Sequence, residues 1–140
     1  MRDSAHTGLE KTRTRGRTEA EWRERLTPQQ YRVLRAGGSE KPGSSPLNAE
    51  RRPGVFRCAG CGHELFDSTA KFEAGTGFPT FRDSLPGAVT RSEDRSQLVV
   101  LSAVACVGCG GHLGYFYEDE PGGAGPSYRI NGVALTFKPR

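Results

Sequence analysis

Cys58-Ala-Gly-Cys-Gly62 and Cys106-Val-Gly-Cys-Gly110 share the pattern Cys-x-Gly-Cys-Gly and together contain every cysteine of the chain. A Cys-x-x-Cys pair places two sulfurs on one tight turn. Four thiolates surround one Zn²⁺ tetrahedrally at about 2.3 Å, a closed arrangement that leaves no coordination position for water or substrate. The 44 residues between the pairs, 62–105, exceed the span of a small zinc ribbon. A shared ion would therefore join two distant parts of one domain. Two disulfides and a thioredoxin-like redox pair are the alternatives. A redox pair opens a helix, whereas both pairs here sit on glycine turns beside strand-like sequence. The expected metal ligands are Cys58, Cys61, Cys106 and Cys109, holding one structural zinc per chain. His63 and His112 could replace a thiolate, but four sulfurs leave them surface or supporting roles.

Outward from the pairs, the 140 residues suffice for one domain, while 19 glycines and 9 prolines make it loop-rich and short of apolar surface. A metal clip suits such a chain because binding free energy becomes folding free energy. No signal peptide or apolar span is evident, and thiols reserved for metal fit a reducing cytoplasm. The formal charge of +4 is lowered by about 2 when four thiolates take one Zn²⁺. Residues 1–25 carry seven basic and five acidic side chains, so the basicity lies in an N-terminal arm and the remainder is close to neutral. The arm's run Lys11-Thr-Arg-Thr-Arg-Gly-Arg17 lacks interleaved aromatics, which argues against a nucleic-acid site and for a solvated, disordered segment.

Thr18-Glu-Ala-Glu21 reads as a capping box opening a short helix with Trp22 and Leu26, near the end of the arm. Thr27-Pro-Gln-Gln30 is a second one, opening a helix that runs through Tyr31 and Leu34 to Gly37-Gly38. A loop over 37–53 follows. Beyond it the pattern predicts short strands at Gly54–Cys58, Glu64–Phe66, Ala88–Ser92, Gln97–Cys106, Leu113–Glu118, Ser127–Asn131 and Val133–Lys138. The apolar run Leu98-Val-Val-Leu101 predicts a central strand buried on both faces. The expected fold is mainly β: a small antiparallel zinc-stabilised domain with one or two short N-terminal helices.

Five motifs then follow in order: Leu26-Thr-Pro-Gln-Gln-Tyr-Arg-Val33, the two cysteine pairs, Gly75-Thr-Gly-Phe-Pro-Thr-Phe81, His112-Leu-Gly-Tyr115 and Tyr128-Arg-Ile-Asn131. With them the chain resembles the methionine-R-sulfoxide reductase B (MsrB) family, also called the SelR domain, over about residues 26–140. The resemblance implies a zinc-bearing, tent-like β fold. It also implies an oxidoreductase activity, peptide-methionine (R)-S-oxide reduction, with thioredoxin restoring the enzyme.

That reaction needs a thiolate or selenolate nucleophile, an acid near the sulfoxide oxygen and an aromatic wall for the substrate methyl. The resemblance places the family's nucleophilic cysteine at Arg129 and its histidine, the fourth residue of His-Leu-Gly-His, at Tyr115. Its tryptophan falls on Phe78, its arginine two residues before the nucleophile on Ser127, and a resolving cysteine found in some members on Thr76. Only Asn131 is kept. Arginine stays protonated and cannot attack sulfur, and a thiolate in a closed zinc site is a poor nucleophile.

Three readings follow: an inactive or repurposed zinc-bound binding protein, an enzyme of altered chemistry, and a functioning reductase using an unrecognised thiol route. The candidate pocket comprises Phe78, Tyr115, Tyr128, Arg129 and Asn131, with Tyr117 on its frame. It suits an oxidised-methionine peptide or a small anionic ligand, with thioredoxin a partner only of an active enzyme and no membrane or nucleic-acid partner expected. Equally, Arg129 could pair with Glu118, Asp119 or Glu120 and the aromatics could belong to the core.

Overall fold

The computed structural model describes residues 17–96, 98–118 and 125–140. Of the arm expected to be disordered, residues 1–16 lie outside the described residues, as do Gln97, Asp119 and Glu120, while Arg17 lies over the Trp22 ring at 5.3 Å. Helix α1 (Glu19–Arg25) begins where the Thr18 hydroxyl accepts from the Glu21 amide and Glu21 reaches back to the Thr18 amide. Helix α2 (Pro28–Leu34) repeats the device with Thr27 and Gln30. These reciprocal bonds satisfy amides that a helix start otherwise leaves without partners. Trp22, Leu26, Val33 and Leu34 all belong to the single core, so the packing includes residues on the N-terminal side of position 26.

The strands are β1 (Gly54–Cys58), β2 (Glu64–Asp67), β3 (Lys71–Phe72), β4 (Thr80–Phe81), β5 (Val89–Asp94), β6 (Leu101–Cys106), β7 (His112–Tyr117), β8 (Ser127–Ile130) and β9 (Leu135–Pro139). They form two antiparallel sheets, β2-β1-β9 and β3-β4-β8-β7-β6-β5. The fold is mainly β, as the alternating pattern predicts. Along β1, Gly54, Phe56 and Cys58 point inward and the residues between them do not, the two-residue period of a strand with one face buried.

The core lies where the sheets meet. Phe66 of β2 stacks on Phe81 of β4 at 4.3 Å, Phe56 of β1 meets the edge of Phe81 at 5.1 Å, and Tyr128 of β8 touches Phe66 and Phe116. Burying several such rings is the main apolar contribution available to a chain of this size.

The reading of Leu98-Val-Val-Leu101 as a buried central strand is corrected by the structure. Leu98 is fully exposed, and Val99 and Val100 are exposed to 62% and 50%. The β5–β6 register ends at Asp94↔Leu101. There the Asp94 carboxylate accepts from the Ser96 amide and hydroxyl and turns the chain out of the sheet. The apolar residues consequently occupy a hairpin connection, and β6 starts at Leu101. The strand expected at Val133 also starts later, after a 3₁₀ turn at Gly132–Ala134.

Candidate functional site

The four cysteines converge at the turns of two hairpins. Cys58 ends β1 and Cys106 ends β6, so one pair belongs to each sheet. The turns repeat one another bond for bond. The Gly60 and Gly108 amides donate to Cys58 Sγ and Cys106 Sγ at 3.3 and 3.2 Å. The Gly62 and Gly110 amides donate to the Cys58 and Cys106 carbonyls at 2.8 Å. Both of the latter glycines have positive φ, +82° and +74°, a conformation that costs glycine little and other residues more. The glycine after each pair is therefore a requirement of the turn.

All four sulfurs lie within 4.8 Å of one another, with Cys58 to Cys109 at 3.7 Å and Cys61 to Cys106 at 3.6 Å. A tetrahedron with about 2.3 Å bonds has an edge of about 3.8 Å, so the set fits a tetrahedral metal ion. A disulfide needs about 2.05 Å, and all four thiols are free. Without an ion, hydrogen bonding to Cys106 and then Cys109 pushes the Cys58 thiol up. Holding four thiolates together needs a cation.

Arg129 lies on β8, with Thr80 of β4 and Tyr115 of β7 as its cross-strand neighbours. Its guanidinium lies over the Tyr117 ring at 4.3 Å. The Tyr115 hydroxyl donates to Asp94 Oδ2 at 3.0 Å, and the His112 ring meets Tyr115 edge-on at 5.2 Å. Burial, and then the bond to Asp94, push the Tyr115 phenol above its usual value. Burial pulls His112 below its usual value against the charge of Asp94. Near neutrality the face thus presents a guanidinium, a phenol already bonded to a carboxylate, and an uncharged imidazole.

The SelR domain family matches residues 26–139. The chain belongs to this family. Among its SelR relatives, "Peptide methionine sulfoxide reductase MsrB" of Methanosarcina barkeri is 46% identical over 123 residues, covering 87% of each chain. The protein of the same name from Agrobacterium fabrum is 42% identical over 124 residues, covering 88% of this chain and 92% of its own. A solved structure, "Crystal Structure of Mis18 'Yippee-like' Domain", superposes with a TM-score of 0.51 at 22% identity, over 64% of this chain and 98% of that one. That likeness concerns the fold alone.

The remaining pocket residues named from the SelR motifs occupy different surroundings. Tyr128 alternates with Arg129 and points into the core against Phe66 and Phe116. Asn131 is buried, its Oδ1 accepting from the Glu40 amide at 2.8 Å and its Nδ2 donating to the Leu113 carbonyl at 3.0 Å. It is spent on holding chain segments together. Ser127 is fully buried. Phe78 is half-buried and lies just before β4, which pairs with β8 beside Arg129. Gly77, before it, has φ +86°, and a Cβ there would lie 2.9 Å from Pro42.

Two residues of the site have no motif to announce them. Asp94 reaches Tyr115 only through the β5-β6-β7 register. Glu40, almost fully buried, accepts from the Gly132 and Val133 amides at 2.8 Å and fixes the chain just after β8. No helix among the described residues is long and apolar enough to cross a membrane.

Proposed function

We propose that this SelR protein holds a structural zinc in its four-cysteine centre and binds a ligand on the Arg129–Tyr115 face without reducing it. The observation that carries this reading is the accounting of thiols. The chain has four cysteines, and all four lie in the cluster. The motif resemblance puts Arg129 at the position of the family's nucleophile. Reduction of a sulfoxide requires an electron pair from a thiolate or selenolate, and a guanidinium is a donor of hydrogen bonds only.

The same group suits an acceptor. Stacking on Tyr117 fixes the guanidinium plane, and its N–H fork can take an S=O oxygen, a carboxylate or a phosphate by charge-assisted bonds. Tyr115, engaged by Asp94, adds a wall and not an acid. The names of the relatives favour an oxidised-methionine peptide, with a small anion as the alternative ligand. The setting we propose is the cytoplasm. We also propose that residues 1 to about 17 of the polar arm are dispensable for folding and that the zinc domain spans 26–140, with α1 packed on it.

The test is a thioredoxin-coupled assay on a methionine-R-sulfoxide peptide, with zinc measured on the same preparation and binding followed by NMR. The expected result is one zinc per chain, no turnover, and shifts at Tyr115 and Arg129 that are lost in Arg129→Ala. The relatives' names also support a second reading, a functioning reductase by another thiol route. Turnover by the metallated protein would establish it and overturn ours.

A further inference from the structure

Each N-terminal helix delivers one arginine to one cysteine turn. Arg25, at the end of α1, donates from Nε to the Gly60 carbonyl at 2.7 Å. Arg35, which caps the C-terminal end of α2, donates from Nη1 to the Cys109 carbonyl at 3.2 Å and to Cys109 Sγ at 3.7 Å. Between the arginines lies an apolar wall. A Cβ on Gly60 would lie 3.3 Å from the Trp22 ring and 3.6 Å from Leu34, and one on Gly111 would lie 2.9 Å from Leu34. Leu34 thus abuts both turns at once. Trp22 carries the Arg35 guanidinium on its face at 4.6 Å, while its indole N–H has no partner among the described residues. The ring is used for its face, which backs the arginine.

We propose that α1 and α2 form a clamp on the metal centre, with Arg35 as a positioning residue that holds the second turn and offsets thiolate charge at Cys109. The inference rests on the zinc reading. Four thiolates on a dication leave a net charge of about −2, which a partly buried site needs to have offset. A guanidinium is weakly hydrated, always charged and carries several donors, so it can serve a carbonyl, a sulfur and a ring face together. Hydrogen bonds to ligating atoms fix their direction and tune the metal–ligand bond. The helices therefore govern how long the ion is kept.

The experiment uses the full chain loaded with Zn²⁺ and, in parallel, with Co²⁺. Zinc release to a chromophoric chelator, the Co²⁺–thiolate absorption and the emission of Trp22, the chain's one tryptophan, are recorded together. Arg35→Gln should release zinc about tenfold faster or more, shift the cobalt–thiolate band and change the tryptophan emission. Arg35→Lys should recover part of the retention. Arg32→Gln is the control, since Arg32 bonds the Ser39 carbonyl, away from the cysteine turns. It should match the wild type. A folded Arg35→Gln with wild-type release and an unshifted cobalt band would overturn the clamp alone. Should that variant not fold, Arg25→Gln decides, and wild-type release from it overturns the clamp. Wild-type protein that takes up no metal would remove the zinc reading and the clamp with it.

Discussion

A side chain at position 114 has nowhere to go, since a Cβ there would lie 2.1 Å from the carbonyl oxygen of Arg129 across the β7–β8 pair. Gly114→Ala should lower stability by about 1–3 kcal/mol, the range for forcing a methyl into a packed site, as read from denaturant unfolding. An unchanged midpoint would mean that the strands part freely. Arg129→Cys returns a thiol to β8 but no acid, because the Tyr115 phenol is held above its usual value and bonded to Asp94. A positioned acid is commonly worth about 10²–10⁴-fold. Trace turnover is expected from Arg129→Cys with dithiothreitol, and a clear gain when Tyr115→His is added. Family-like rates from the single change would show that the rest of the face is still competent. Adding Ser127→Arg would force a guanidinium into a fully buried position and should cost stability. His112 gives the pH prediction. Its folded pKa is depressed, chiefly by burial. The unfolded chain therefore takes up a proton first, and its contribution, full above about pH 6.5, declines as pH falls from there toward the folded value. NMR titration of the imidazole should give a midpoint below about 6.5. A midpoint at or above that value would mean that the charge of Asp94 outweighs burial.

At the scale of the element, the β5–β6 hairpin shows what an apolar run conceals. Leu98, Val99 and Val100 project from the connection, so replacing any one with serine should change stability by less than about 0.5 kcal/mol, as exposed substitutions do. A thermal midpoint lowered by several degrees would put these residues back in a core. The run was misleading because composition records which letters are apolar, while the register, closed at Asp94↔Leu101, decides which of them enter the sheet. The helix starts were legible because a capping box is complete within four residues. So was β1, whose alternation and terminal cysteine lie in one short stretch. Strands β3 and β4, two residues each, are too short to carry a period. The gathering of the four cysteines was legible from spacing and chemistry. For Tyr128 the sequence left pocket and core both open, since its ring suits either environment and only its parity on β8 decides for the core. Asp94 and Glu40 act across long stretches of chain, and nothing local marks them.

Among the described residues, two sheets meet at an aromatic core and again at the cysteine cluster. The apparent binding energy of structural zinc is about 10 kcal/mol or more, comparable to the roughly 5–15 kcal/mol that holds a typical domain folded. Removing the proposed zinc with a strong chelator should therefore lower the melting temperature steeply and broaden the transition. A Cys→Ser change at 58, 61, 106 or 109 should do the same. Metal-free protein with an unaltered melting curve would show that the aromatic core suffices.

The spacing of the cysteine turns also bears on how the chain is made. Each turn is closed by its own bonds, Cys58 to the His63 carbonyl and Cys106 to the Gly111 carbonyl, so each can form by itself. Synthesis runs from the N-terminus, and the first turn is finished at His63, while 42 residues, 64–105, still separate it from Cys106. At about 5–20 residues per second this leaves two sulfurs without the other two for roughly a few seconds. An ion captured during that time would then draw in the later hairpin, whose closure cost grows only with the logarithm of the loop. For the nascent chain, oxidation of Cys58 and Cys61 by a peroxide before the second turn emerges would remove two of the four thiolates from the proposed centre.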